Sequence, residues 1–134
     1  MVVFLNGASA RSEYRKFKIR TSTNDDLKSM QEVISRRLKH EEWDFPSLIV
    51  LDGGIGQVNA ILPLVEPFNI PVIGRDKSGD HSKSAGVKII VPGKGIVKLS
   101  QNSHIARLIA RIDEESHRFA ITYHSLLKRK GMLK

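Results

Sequence analysis

The sequence predicts an α/β domain, a sheet with helices packed on it, and three observations carry that expectation. An aliphatic run, Leu48 to Leu51, is closed off by Pro46 on one side and Gly53-Gly54 on the other, as a buried strand would be. Segments of helical spacing lie on both sides of it. A hairpin pattern, VKIIVPGKGIVKLS, then leads into a long amphipathic stretch that runs nearly to the end of the chain. The expected order is β-β-α-β-α-β-loop-ββ-α, and strands alternating with helices around one aliphatic strand argue for a layered sheet.

Taken in order, VVFL at residues 2–5 reads as a short strand and Asn6-Gly7 as a hairpin turn. EYRKFKIR at 13–20 alternates, with Tyr14, Lys16 and Lys18 on one side and Arg15, Phe17 and Ile19 on the other, which suits the partner strand with one strongly basic face. Thr21 to Asn24 offers N-caps, and Asp25 and Asp26 suit the first turn of a helix, where acids complement its dipole. Leu27, Met30, Val33, Ile34 and Leu38 give that helix one apolar face. A second helix is expected over 55–68, bent or ended near Pro63 and Pro67, then a strand at 71–74, PVIG. RDKSGDHSKSAG, 75–86, reads as a polar loop. From about Asn102 to Arg129 one helix carries Ile105, Leu108, Ile109, Ile112, Phe119, Ala120, Tyr123 and Leu127 on a single stripe.

The chain has 134 residues, enough for one domain with a real core, and no linker or repeat divides it, so residues 1–134 are read as a single unit. It contains no cysteine, which excludes disulfides, thiolate zinc sites and thiol nucleophiles. Its net charge of +8 favours a polyanionic partner, nucleic acid before anionic lipid. No run approaches the ~18 apolar residues of a membrane span. The apolar run in MVVFLNGASA is too short for a secretory leader, so a cytoplasmic location is expected.

The strand at 47–51 ends in Asp52-Gly53-Gly54. The spacing is neither a Walker A loop nor a dinucleotide fingerprint. Asp52 has two readings: a cap or turn residue before the next helix, or a carboxylate ligand to a metal, with the glycines leaving space above it. Chemistry in such sheets collects at the carboxyl ends of central strands, where Asp52 lies. On the last helix, Asp113, His117 and His124 fall near one side. His117 reads either as a metal ligand or water activator, with Asp113 orienting its ring, or as a residue packed at the edge of the stripe. His40, His81 and His104 read as surface residues. Lys16, Lys18, Arg75, Lys77, Lys83, Arg118, Lys128, Arg129 and Lys130 are candidates to track phosphates, against the ordinary alternative of solvated charge.

Three blocks together, SEYRKFKIR at 12–20, LIVLDGGIGQ at 48–57 and DEESHRFAITYH at 113–124, resemble the C-terminal endonuclease domain of UvrC, the nuclease subunit of bacterial nucleotide excision repair. NDDLKSMQEVISRR, PVIG, VPG and the final KRK fit the same pattern in order, so the resemblance covers nearly the whole chain. It implies an RNase H-like mixed sheet flanked by helices and a metal-dependent nick on the 5′ side of a lesion in double-stranded DNA. The family uses an Asp-Asp-His set, whose second Asp matches Asp52 and whose His matches His117. The resemblance also implies Mg²⁺ or Mn²⁺, hard ions suited to carboxylate oxygens, as cofactor. A UvrB-type protein is implied as partner in the family context, and no membrane.

Two departures follow from the same comparison. The family's first catalytic Asp lies on a strand upstream of MVVFLNG, so the first, central strand of the sheet is expected to be missing, between the strands at 2–5 and 47–51. The family's UvrB-binding segment, other nuclease domain and helix-hairpin-helix module are expected to be absent too. Ile55 stands where the family usually has Lys in D-G-G-K-G-Q. Three readings therefore stay open: a nuclease domain with weak or no activity as this chain, a non-catalytic DNA-binding or protein-interaction module, and an RNA-directed nuclease of the same fold.

Overall fold

The computed structural model describes residues 1–15, 26–77 and 86–129, with the side chains of Asp26, Tyr123, His124, Leu126, Leu127 and Lys128 outside the description. The chain opens with two short antiparallel strands, β1 (Phe4–Leu5) and β2 (Ala8–Ser9). Asn6 and Gly7 both have positive φ, 53° and 82°, as a two-residue turn of matching twist requires. The expected turn is therefore there, and the strand that returns from it is Ala8–Ser9. Residues Arg11–Glu13 form a 3₁₀ turn, and Arg15 donates its N–H to the Met1 carbonyl at 3.3 Å. Residues 16–20 of the expected basic strand lie outside the described residues.

The main sheet has four strands in the order β3 (Ile49–Leu51), β4 (Val72–Asp76), β5 (Val87–Val91) and β6 (Gly95–Leu99). β3 and β4 are parallel, and the remaining pairs are antiparallel, so the sheet is mixed. Among the described residues β3 borders this sheet, and the β1–β2 pair is separate from it. A parallel pair needs a crossover, and here α2 (Ile55–Val65) supplies it. Pro63 does not end α2; the helix runs on to Val65, and a 3₁₀ turn at Glu66–Phe68 finishes it, with Asn69 left-handed at φ 56°. The hairpin β5–β6 turns through Gly93 and Gly95, both at positive φ, as its sequence predicts.

Alternation along β5 divides the core in two. Ile90 faces the cluster of Leu38, Leu51, Val58, Ile61, Val65, Ile70 and Val72, built from α1 (Asp26–Leu38), α2 and the strands. Val87 and Ile89 face the other side and meet Ala106 and Ile109 of α3 (His104–Arg129). The result is three layers, α1 and α2 on one face of the sheet and α3 on the other. Ser103 starts α3, its hydroxyl accepting the Ala106 N–H at 3.0 Å. The stripe of α3 is turned slightly from its sequence expectation. Ala106 is buried, while Ile105 and Ala120 are exposed, because the small residue lets the helix lie close to β5.

Gly74 of β4 is the point where sheet and crossover come closest. A Cβ there would run into the Gly53 carbonyl and stand 2.8 Å from Val58 Cγ2. Gly74→Ala is expected to cost about 1–3 kcal/mol through overpacking, read as a lower urea midpoint with an unchanged m-value. Gly54→Ala, where a Cβ meets nothing within 4 Å, serves as the mild comparison.

Candidate active site

The site forms where β3 and β4 end side by side. Leu51, paired in register with Gly74, is buried at 4% exposure, and the next residue, Asp52, emerges from the core with its side chain 65% exposed. Such a transition in one residue follows from the pleat and the end of the ladder. Gly54, not Asp52, is the N-cap of α2, and no side chain caps that helix. Of the two sequence readings of Asp52, the capping one therefore does not describe this helix. Gly53 is not open either: the Gln57 side chain lies over it, so that a Cβ would stand 2.5 Å from Gln57 Cγ. Space above the turn is found at Gly54.

Lys77 follows the last residue of β4, and its ammonium sits between two acids. Its Nζ is 3.1 Å from Asp52 Oδ1 and 2.8 Å from Asp113 Oδ1 of α3. The hydrogen bond to Asp113, then that to Asp52, raises the Lys77 pKa against the desolvation of its amine. Three elements, two strand ends and a helix, thus converge on one cation. The sequence reading used Asp113 as the orienter of His117 and Lys77 as a phosphate contact; here each is engaged with the other. His117 lies one turn further along α3 and is exposed. Among the described residues, no three His, Asp or Glu side chains gather closely enough to hold one metal ion. The chemistry of the pair still suits a hard cation, because two carboxylate oxygens already share the Lys77 ammonium as a stand-in.

Further along α3 is a second polar group. Tyr14 donates its hydroxyl to Glu115 Oε1 at 3.0 Å, and Arg118 donates to both Glu115 oxygens at 2.6 and 3.0 Å. Phe119 packs edge-on against Tyr14 with ring centroids 5.2 Å apart. Tyr14, Arg118 and Phe119, with Arg11, Arg15 and Thr122, line an open cleft of about 470 Å³. Sequence reasoning had Arg118 but not Arg11 or Arg15 as candidates. Arg15 lies on the opposite side of the alternating pattern from Lys16 and Lys18, and its guanidinium stacks over Trp43, 4.6 Å from the ring centroid. Arg75 is half-buried and donates to the Asp76 carbonyl at 3.3 Å. Arg129 is exposed at the end of α3, and Lys16, Lys18, Lys83, Lys130 and the Lys128 side chain lie outside the described residues. His40, expected on the surface, stacks on Trp43 at 3.8 Å and pairs with Glu42.

The Arg118 guanidinium first, and the Tyr14 hydroxyl after it, hold Glu115 down at about 2, below its ordinary 4.5. A carboxylate depressed in the folded state stabilises above its unfolded pKa, and that contribution is lost as pH falls through the folded value. The wild type is therefore expected to lose more thermal stability than Glu115→Gln between roughly pH 4.5 and 2, measured as Tm against pH. Equal slopes for the two proteins would show that this network does not bear on folding.

The chain matches the family model described as the UvrC RNAse H endonuclease domain over residues 1–121. It is 44% identical to UvrABC system protein C of Desulfitobacterium hafniense (strain Y51) and 42% identical to that of Streptococcus equi subsp. zooepidemicus (strain MGCS10565). The two alignments cover 98% of this chain, and 22% and 23% of those relatives. With UvrABC system protein C of Bdellovibrio bacteriovorus it shares 39% identity over 95% of this chain and 22% of the relative. The chain thus spans less than a quarter of the length of these curated relatives. Its layered mixed sheet, the acid at the end of β3 and the matched residues agree: the chain belongs to the UvrC RNase H endonuclease domain family.

Proposed function

We propose that this chain is the metal-dependent DNA endonuclease domain of a nucleotide-excision-repair nuclease, acting on the 5′ side of a lesion in duplex DNA. The observation that carries the reading is the convergence of Asp52 and Asp113 on one cation at the carboxyl ends of parallel strands, in a chain of this family. Asp52 and Asp113 are the residues that would hold a divalent ion, Mg²⁺ or Mn²⁺. When bound, such an ion polarises a phosphate oxygen and lowers the pKa of attacking water.

The chain's own residues do the rest. Asp52 and Asp113 fix the place where a cation, and through it a phosphodiester, would be held, and the exposed His117 imidazole takes up the proton that the attacking water releases. The net charge of +8 supplies the attraction that brings a polyanion to this face, with Arg11, Arg15 and Arg118 around the neighbouring cleft as phosphate contacts. A UvrB-type partner and a cytoplasmic setting belong to the same reading; among the described residues, no helix is long and apolar enough to cross a membrane.

A second reading, a DNA-binding module without catalysis, draws on the fact that the described residues gather two acids and not three ligands. The two readings separate in a nicking assay on supercoiled plasmid with Mn²⁺, at low enzyme excess. As an isolated chain, nicking is expected to be slow, and Asp52→Asn is expected to reduce it at least ~10²-fold if the metal reading holds. Duplex binding that Asp52→Asn leaves intact, with no metal-dependent nicking in the wild type, would establish the binding module instead.

A further inference from the structure

The ammonium of Lys77 occupies the position between Asp52 and Asp113 that a metal would need. Divalent ions bind carboxylate oxygens at about 2.0–2.6 Å, inside the 2.8 and 3.1 Å at which Lys77 Nζ now stands. An ion on these two Oδ1 atoms and an ammonium at hydrogen-bond distance from the same atoms would repel strongly, so the two cations exclude each other. Without any cation, the two carboxylates would in turn repel one another.

From these contacts we infer that Lys77 is a tethered counter-cation: it holds Asp52 and Asp113 together in the metal-free protein and must swing away when a divalent ion enters. The inference rests on the metal-dependent reading above. The side chain is built for such a role. Its charge is a compact group on a flexible four-carbon stem, and with the Lys77 side chain 45% exposed it has a route into solvent that needs no backbone movement. Asp113, at 28% side-chain exposure, is the better shielded acid and makes the shorter bond, so it carries more of the competition than Asp52 at 65%. Lys77 is thus a positioning residue that sets metal affinity.

Mn²⁺ titration of the full chain by calorimetry, with wild type, Lys77→Met, Asp113→Asn, the double variant and Lys98→Met, tests this directly. Lys98 lies on β6, is exposed and contacts neither acid, so its variant removes one positive charge without removing the competitor. Two exposed ion pairs together correspond to about three- to ten-fold in an equilibrium. Lys77→Met is therefore expected to bind Mn²⁺ about three- to ten-fold more tightly than wild type, while Lys98→Met stays within about two-fold. The gain from Lys77→Met should shrink in the Asp113→Asn background. In the absence of metal, Lys77→Met should melt at a lower temperature than wild type, and saturating Mn²⁺ should close that gap. Wild-type binding with no gain in Lys77→Met, or an equal gain in Lys98→Met, overturns the role of Lys77 alone. No Mn²⁺ binding by any variant overturns both this inference and the metal-dependent reading beneath it.

Discussion

The parallel pairing of β3 with β4 is the constraint on which the rest of the molecule depends. It places Leu51, the last residue of β3, opposite Gly74, so that Asp52 emerges beside the final residues of β4. Because parallel strands cannot be joined by a tight turn, the chain must cross over through α2, and α2 in turn packs Val58, Ile61 and Val65 beneath the sheet at 0–1% exposure. The crossover starts in the Asp52-Gly53-Gly54 turn, which has to lie flat on β4. Only a residue without a side chain at Gly74 allows the Gly53 carbonyl to come that close. The same close packing that buries the core therefore aims Asp52 outward, past the end of the ladder, where Lys77 leaves β4.

Charge in this chain is organised locally against its own average. The whole carries +8, yet three acids at the site and on α3 are matched by local cations: Lys77 for Asp52 and Asp113, Arg118 for Glu115. These are exposed or half-exposed pairs, which contribute little to stability individually. Their effect is on geometry: Lys77 ties Asp113 of α3 to the strand ends, and Arg118 orients Glu115 within α3. The Tyr14–Glu115 bond does this across the longest sequence separation, tying the segment after β2 to the last helix. α3 otherwise meets the sheet mainly through Ala106 and Ile109.

Some of this was legible in the residue order. Asn6-Gly7 specified its turn because only residues tolerant of positive φ fit both central positions. The β5–β6 hairpin and the aliphatic strand before Asp52 were legible for similar local reasons, as was the length of α3. The pairing partner of β1 across that turn was not legible, because alternation reports a face, not a partner, and Ala8–Ser9 closes the turn at once. The second helix was expected to bend or end near Pro63 and Pro67; it ends between them, at Val65, with Ile61 and Val65 packed in the core on either side of Pro63.

For the site, the sequence by itself determined the acid at the end of a buried strand, the basic excess and the family blocks around Asp52 and His117, because each is a local pattern of residue types. It did not determine that Asp113 turns toward Asp52 and shares Lys77 with it. Those three residues are far apart in the chain and belong to three elements, so their meeting depends on strand register, on the angle at which α3 crosses the sheet and on the small side chain at Ala106 that lets it approach. Such quantities are set by packing over the whole core, and only the tertiary structure decided them.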